Sequence, residues 1–99
     1  MFFKSIDKEV EKFRETEGAV LLDVRTPMEY SQGHIPGSIN IPLQDIAASE
    51  TVIEDKETPI FVYCYSGARS GSAAGFLKKK GYCNVNNIGG IASYTGEVE

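Results

Sequence analysis

Short continuous apolar runs alternate along this chain with stretches in which hydrophobic residues recur every three or four positions. Ala19-Val20-Leu21-Leu22-Asp23-Val24 and Pro59-Ile60-Phe61-Val62-Tyr63 are unbroken runs of strand length, the pattern of parallel strands covered on both faces. Val10 and Phe13, set against Lys8, Glu9, Glu11, Lys12, Arg14 and Glu15, predict an amphipathic helix from Asp7 to about Thr16. Ser5 or Asp7 can cap it, and Gly18 lies just past its end. Pro27 opens a short helix through Glu29, Tyr30 and Gln32, ended by Gly33. Ser38 to Ile41 alternates as a short strand that Pro42 stops. Leu43 to Ala48 forms one or two helical turns, and residues 49–58 read as a polar surface connection. Arg69 to Lys80 is helical, with Ala73, Ala74, Phe76 and Leu77 for an inner face and Gly81 as stop. Asn84 to Ile88 is a last strand, and Gly89-Gly90 turns into a short helix around Ile91 to Tyr94. Residues 2–5 add a candidate first strand. The order predicts an α/β sandwich on a mostly parallel, roughly five-stranded central sheet. Ligands gather at the carboxyl ends of strands in such sheets, where Asp23 and Cys64 both fall.

The length of 99 residues leaves room for one domain, expected over 1–99, and 41% hydrophobic content suits a globular core. Ten basic against fourteen acidic side chains give a net charge of −4, which argues against a general nucleic-acid or membrane-surface binder. No apolar run approaches a membrane span, and Met1 to Asp7 meets charge too soon for a signal peptide. A cytoplasmic monomer is the expectation. Two cysteines make neither a disulfide framework nor a zinc site.

One of those cysteines changes the picture. Cys64 ends the apolar run 59–63 and is followed by Tyr65-Ser66-Gly67-Ala68-Arg69-Ser70, where a helix begins. A chain that must curl this tightly from strand to helix needs positive φ, which Gly67 permits. Several backbone N–H groups then converge on the sulfur beside a helix N-terminus, a setting that favours negative charge. Arg69 adds a formal cation. A thiol placed there is expected to be a nucleophile with a lowered pKa. The competing reading is a buried core cysteine, a common fate of free thiols.

Four segments in order resemble the rhodanese-like sulfurtransferases. Leu22-Asp23-Val24-Arg25-Thr26-Pro27-Met28-Glu29-Tyr30 is similar to their first signature and Gly33-His34-Ile35-Pro36-Gly37-Ser38-Ile39-Asn40-Ile41-Pro42 to their second. Cys64 to Ser70 resembles their active-site loop, and Asn87-Ile88-Gly89-Gly90-Ile91 their final Gly-Gly turn. The resemblance implies a rhodanese-like three-layer sandwich and double-displacement chemistry. Cys64 thiolate takes the outer sulfur of a small anionic donor such as thiosulfate, or of a protein persulfide. It then passes that sulfur from the Cys64 persulfide to cyanide or another thiol. Cys64 would be the catalytic residue, Tyr65, Ser66, Gly67, Ala68, Arg69 and Ser70 would bind substrate, and no metal or organic cofactor would be needed. A non-catalytic or sulfur-relay module on the same fold is the alternative. The related phosphatases carry one residue more between cysteine and arginine; the four residues here disfavour phosphate.

Two departures bear on substrate. Many relatives carry a basic residue where this chain has Tyr65, so Arg69 is the one formal cation in the loop and thiosulfate binding is expected to be weaker. The chain also lacks tryptophan, and Tyr94 is expected to fill the apolar role after Gly-Gly. Asp23 and Arg25 read as supporting residues that tie neighbouring loops together, with Glu29 the expected partner of Arg25. His34, the single histidine, is expected to hold the 33–37 turn. Cys83 precedes a strand parallel to the one that Cys64 ends. Five strand residues place the two thiols on the order of 16 Å apart, beyond the ~7 Å between Cα atoms that a disulfide tolerates. Lys78-Lys79-Lys80 resembles a docking patch, but cations in the last turn of a helix are explained by its dipole.

Overall fold

The computed structural model describes residues 5–99. Helix α1 (Ile6–Glu15) precedes strand β1 (Val20–Asp23), helix α2 (Pro27–Ser31) and strand β2 (Ser38–Asn40). A 3-10 segment (Leu43–Ala48) runs into helix α3 (Ser49–Val52), then come strand β3 (Ile60–Cys64), helix α4 (Ala68–Lys79), strand β4 (Val85–Gly90) and a 3-10 turn (Ile91–Ser93). The strands form one parallel sheet in the order β2-β1-β3-β4. It has four strands among the described residues, where five were expected. The expected extra strand lay at 2–5; residues 2–4 fall outside the described residues, and Ser5 is the residue before α1.

Strand alternation divides the core into two layers. Leu22, Val24, Ile60, Val62 and Cys64 face one side, where Ala73, Ala74 and Leu77 of α4 meet them together with Ile46 and Ile53. Leu21, Phe61, Tyr63 and Ile88 face the other, against Ile6 and Val10 of α1 and Ile35. Because successive side chains point to opposite faces, Cys64 shares the face of Ile60 and Val62. That face is covered by α4, so the thiol at the end of β3 is turned toward the helix that starts four residues later.

Two boundaries differ from the expectation. Strand β4 runs on through Gly89-Gly90, which pair with Tyr63 and Cys64 in register, so the glycines end a strand rather than form a turn. The register skips Ile88, a bulge that supplies the extra residue. Residues 49–58 are not all surface connection: Ser49 opens α3 with its hydroxyl donated to Ile46 O (2.5 Å), and both Ser49 and Ile53 are buried. Tyr94 packs partly buried against the α1-side layer, as expected.

Candidate active site

The loop after β3 packs closely against the backbone that ends β4. Gly67 has φ +108° and serves as N-cap of α4, the conformation the tight curl required. Its N–H donates to Cys64 Sγ (3.0 Å), and the buried Ser70 hydroxyl lies 3.4 Å from the same sulfur. The carbonyl of Tyr65 accepts from Ala92 N (3.1 Å), pinning the start of the loop to the turn after β4. Beneath it lies Gly90: a Cβ there would sit 2.0 Å from Tyr65 O and 2.5 Å from Ser66 Cα. Only a residue without a side chain lets the loop backbone pass this close.

Cys64 is buried, and burial alone pushes its thiol pKa up. Hydrogen bonds from the Ser70 hydroxyl and from the backbone N–H groups of Ser70, Gly67 and Ser66 outweigh that, leaving it below the ordinary thiol value. The N-terminus of the twelve-residue α4 adds its dipole in the same sense.

Asn87 belongs to this assembly, although sequence reasoning did not single it out. Its Oδ1 lies 2.7 Å from Ser70 Oγ and accepts from Gly89 N (3.1 Å), and its Nδ2 donates to Gly67 O (3.2 Å). One amide thus ties β4 to the N-cap and first turn of α4. Its place beside the Gly-Gly pair in the fourth segment was the available signal.

Arg69 does not stand as a free cation. Its Nη1 and Nη2 donate to Glu29 Oε1 (2.7 Å) and Oε2 (3.1 Å), a bidentate pair across forty positions of sequence. Glu29 is the N3 residue of α2 and also closes a capping box with Thr26: Thr26 N donates to Oε1 (3.0 Å), and Glu29 N to Thr26 Oγ1 (3.2 Å). The Arg69 guanidinium, opposed by partial burial and helped by Thr26, holds the Glu29 carboxyl at about 2. The expected Arg25–Glu29 pair is therefore absent, because Arg25 lies before α2 and faces inward.

Arg25 instead pairs with Asp23. Nη2 donates to Oδ2 (2.7 Å), Nε to both oxygens (3.1 and 3.0 Å), and the Arg25 backbone N–H to Oδ1 (2.8 Å). Nη2 also reaches Gly33 O (2.7 Å), and Asn40 Nδ2 donates to both Asp23 O and Arg25 O (2.9 Å each). The pair binds the end of β1 to β2 and the 33–37 turn. Tyr63, whose side chain lies on the sheet face opposite Cys64, accepts from Ile35 N and donates to Ser38 Oγ (both 3.1 Å). His34 holds a different contact from the one expected: its ring stacks on Tyr30 (3.7 Å between centroids), and Nδ1 donates to Tyr30 O (2.9 Å).

Two open grooves flank the loop. One, about 390 Å³, is lined by Ser5, Ile6, Ser66, Ile88, Gly89, Gly90 and Ser93. The other, about 220 Å³, is lined by Val24, Thr26, Pro42, Leu43, Gln44 and Arg69. Tyr65 is 55% exposed. Cys83 is a free, exposed thiol at the opposite end of the sheet, before β4, and Cys64 is also free. Among the described residues no helix is long and apolar enough to cross a membrane, and no group of three or more His, Cys, Asp or Glu is placed to hold a metal ion.

The family model for the rhodanese-like domain matches residues 7–97. Among curated proteins, the chain is 42% identical over 71 residues to thiosulfate sulfurtransferase PspE of Escherichia coli, covering 71% of this chain and 68% of that protein. It is 38% identical over 100 residues to thiosulfate sulfurtransferase GlpE of Pseudomonas entomophila, covering 96% and 91%. Among solved structures, a rhodanese with anions from E. coli superposes with a TM-score of 0.76 at 36% identity, covering 82% of this chain and 96% of that one. SSP1007 from Staphylococcus saprophyticus superposes over 100% and 99% with a TM-score of 0.82 at 26% identity. With its loop, its Gly-Gly strand end and this span of similarity, the chain belongs to the rhodanese-like domain family.

Proposed function

We propose that this protein is a sulfurtransferase that carries sulfur as a persulfide on Cys64. The observation that carries the reading is the sulfur's position: it accepts from Gly67 N at 3.0 Å and neighbours the Ser70 hydroxyl, at the N-terminus of α4 and at the end of a buried strand. Such donors stabilise a thiolate and, equally, the anion of a terminal persulfide. The names of the similar proteins PspE and GlpE support the same chemistry.

Cys64 thiolate attacks the outer sulfur of a donor. A new S–S bond forms, the donor's S–S bond breaks, and its electron pair leaves with the remainder, sulfite in the case of thiosulfate. A thiolate or cyanide then attacks the outer sulfur of the persulfide, and the pair returns to Cys64. No proton need move at the sulfur if the loop keeps it ionised, so His34 has no part in the step. Ser66 and Gly67 supply backbone donors, and Ser70 supplies both a backbone and a side-chain donor. Asp23 and Arg25 keep the adjoining strand end in place.

The test is mass spectrometry of the reduced protein after exposure to thiosulfate and, separately, to a persulfide donor. One added sulfur atom is expected, removed by cyanide as thiocyanate. Cys64→Ser is expected to abolish uptake and Cys83→Ser to leave it intact. No sulfur uptake from any donor, with Cys64 reduced, overturns the reading.

A further inference from the structure

We propose that Glu29 is a specificity-determining residue: by neutralising Arg69 it tunes the site away from doubly charged donors and toward donors with one negative charge or none. The inference rests on the sulfur-transfer reading of Cys64 and concerns which sulfur compound is taken. Arg69 is the one cationic side chain in the loop and the one cationic residue lining either flanking groove among the described residues. Both arms of its guanidinium are engaged by both oxygens of Glu29, at 2.7 and 3.1 Å. Glu29 is itself fixed by the capping box with Thr26, so the carboxylate is held in position by α2 and does not depend on Arg69 for its place.

The consequence is electrostatic. The remaining groups around the sulfur are neutral dipoles: the N–H groups of Ser66, Gly67 and Ser70 and the hydroxyl of Ser70. Dipoles at hydrogen-bond distance are sufficient for the single charge of a thiolate or persulfide. A thiosulfate dianion approaching Cys64 thiolate brings together three negative charges, and the Glu29–Arg69 pair offers them no net countercharge. A monoanionic donor of the same sulfane sulfur, such as an aryl thiosulfonate, or a persulfide of low charge, meets a smaller penalty. The groove beside Arg69 is suited to carry such an organic remainder, since Val24, Pro42 and Leu43 line it.

The reaction compared is the same for both donors: Cys–S⁻ attacks the outer sulfur, the donor S–S bond breaks, and sulfite or benzenesulfinate leaves with the pair. The experiment measures kcat/KM for thiosulfate and for benzenethiosulfonate at low ionic strength in the parent, Glu29→Gln, Arg69→Gln and the double variant. Gln at position 29 preserves the capping box, so α2 is retained while the charge is lost. The ratio of thiosulfate to benzenethiosulfonate is expected to rise about 3- to 10-fold in Glu29→Gln, the effect of one unpaired charge near a partly exposed site. It is expected to fall in Arg69→Gln, which leaves Glu29 unopposed, and to return near the parent value in the double variant. Added salt should compress all these differences. A ratio in Glu29→Gln equal to that of the parent, while Cys64 still takes up sulfur, overturns the assignment of Glu29 and leaves the sulfur-transfer reading standing. Failure of Cys64 to take up sulfur from either donor in the parent overturns that reading instead.

Discussion

Gly90→Ala offers the sharpest test of how the loop is held. An added Cβ would lie 2.0 Å from Tyr65 O and 2.5 Å from Ser66 Cα, and both atoms are backbone, so no rotamer change relieves the contact. Tyr65 O is also fixed by Ala92 N at 3.1 Å, and Gly90 pairs with Cys64 in the sheet. The loop must therefore rise by an ångström or more, and the N–H groups of Ser66 and Gly67 leave the sulfur. Overpacking of this kind costs about 1–3 kcal/mol, and each kcal/mol lowers Tm by about 4–8 °C in a domain of this size. A drop of roughly 5–20 °C is expected, with the protein still folded because total stability is about 5–15 kcal/mol. A misplacement near 1 Å costs a reaction about 100-fold, so transfer to cyanide should fall by that order. The pH dependence of iodoacetamide alkylation reads the same displacement directly, and its inflection should move up. Gly89→Ala is the control: no atom lies within 4 Å of its added Cβ, and only the φ of +103° resists it, at about 1–3 kcal/mol. It should lose stability with a much smaller loss of rate. If Gly90→Ala matches the parent in Tm, alkylation profile and rate, the proposed floor under the loop is wrong.

Three further outcomes follow from the same contacts. Ser70→Ala removes the largest influence lowering the Cys64 pKa, so the alkylation inflection should shift upward; an unchanged inflection contradicts the assigned hydrogen bond. Because that thiol is held below its ordinary value in the folded state, its contribution to stability is present above the unfolded thiol pKa and lost as pH falls through the folded one, and urea titrations of the variant should show a flatter slope there. Glu29, held at about 2 against an ordinary 4.5, contributes stability that is present above about 4.5 and lost as pH falls toward 2. The pair is about a third exposed, which limits that contribution to about 0.5–1 kcal/mol, and Glu29→Gln should remove it from the acid limb of a stability–pH curve. Gly75 lies exposed within α4 with nothing near its missing Cβ, so Gly75→Ala should stabilise by about 0.4–1 kcal/mol in urea unfolding.

Much of this site could be read from the chain because its parts are contiguous. The strand, Cys64, the positive φ of Gly67 and the helix that follows occupy one short segment, and local rules about alternation and capping govern each of them. The opposite ends reached by Cys64 and Cys83 followed from strand direction alone. Long-range partners were a different matter. The i,i+4 spacing suggested Arg25–Glu29, but that rule holds inside a helix, and α2 begins only at Pro27. Glu29 is turned toward Arg69 by the packing of α4 against the sheet, which no local pattern encodes. Gly89-Gly90 before a short helix reads as a turn; the other meaning of glycine in a strand, the close crossing of a second backbone, was the one that applied. Asn87 escaped notice because an amide has no chemistry of its own, only a geometry that joins Ser70, Gly67 and Gly89.

Two influences on the site are separable in space and therefore in experiment. The four side chains Asp23, Arg25, Glu29 and Arg69 sum to zero formal charge and are tied in two pairs. The groups that hydrogen-bond the negative sulfur are dipoles, and a dipole's field falls off with distance faster than a charge's. The Gly67 N–H and the Ser70 hydroxyl act at 3.0 and 3.4 Å on the sulfur itself and have little reach into the grooves. The balance between Glu29 and Arg69 acts at longer range, on a donor in the groove that Arg69 lines. Substitution of Ser70 should therefore move the ionisation of Cys64 more than the choice between donors of different charge. Substitution of Glu29 should do the reverse. A Glu29→Gln variant whose alkylation profile shifted as far as that of Ser70→Ala would show that the two influences are one, and that Arg69 acts on the thiol directly.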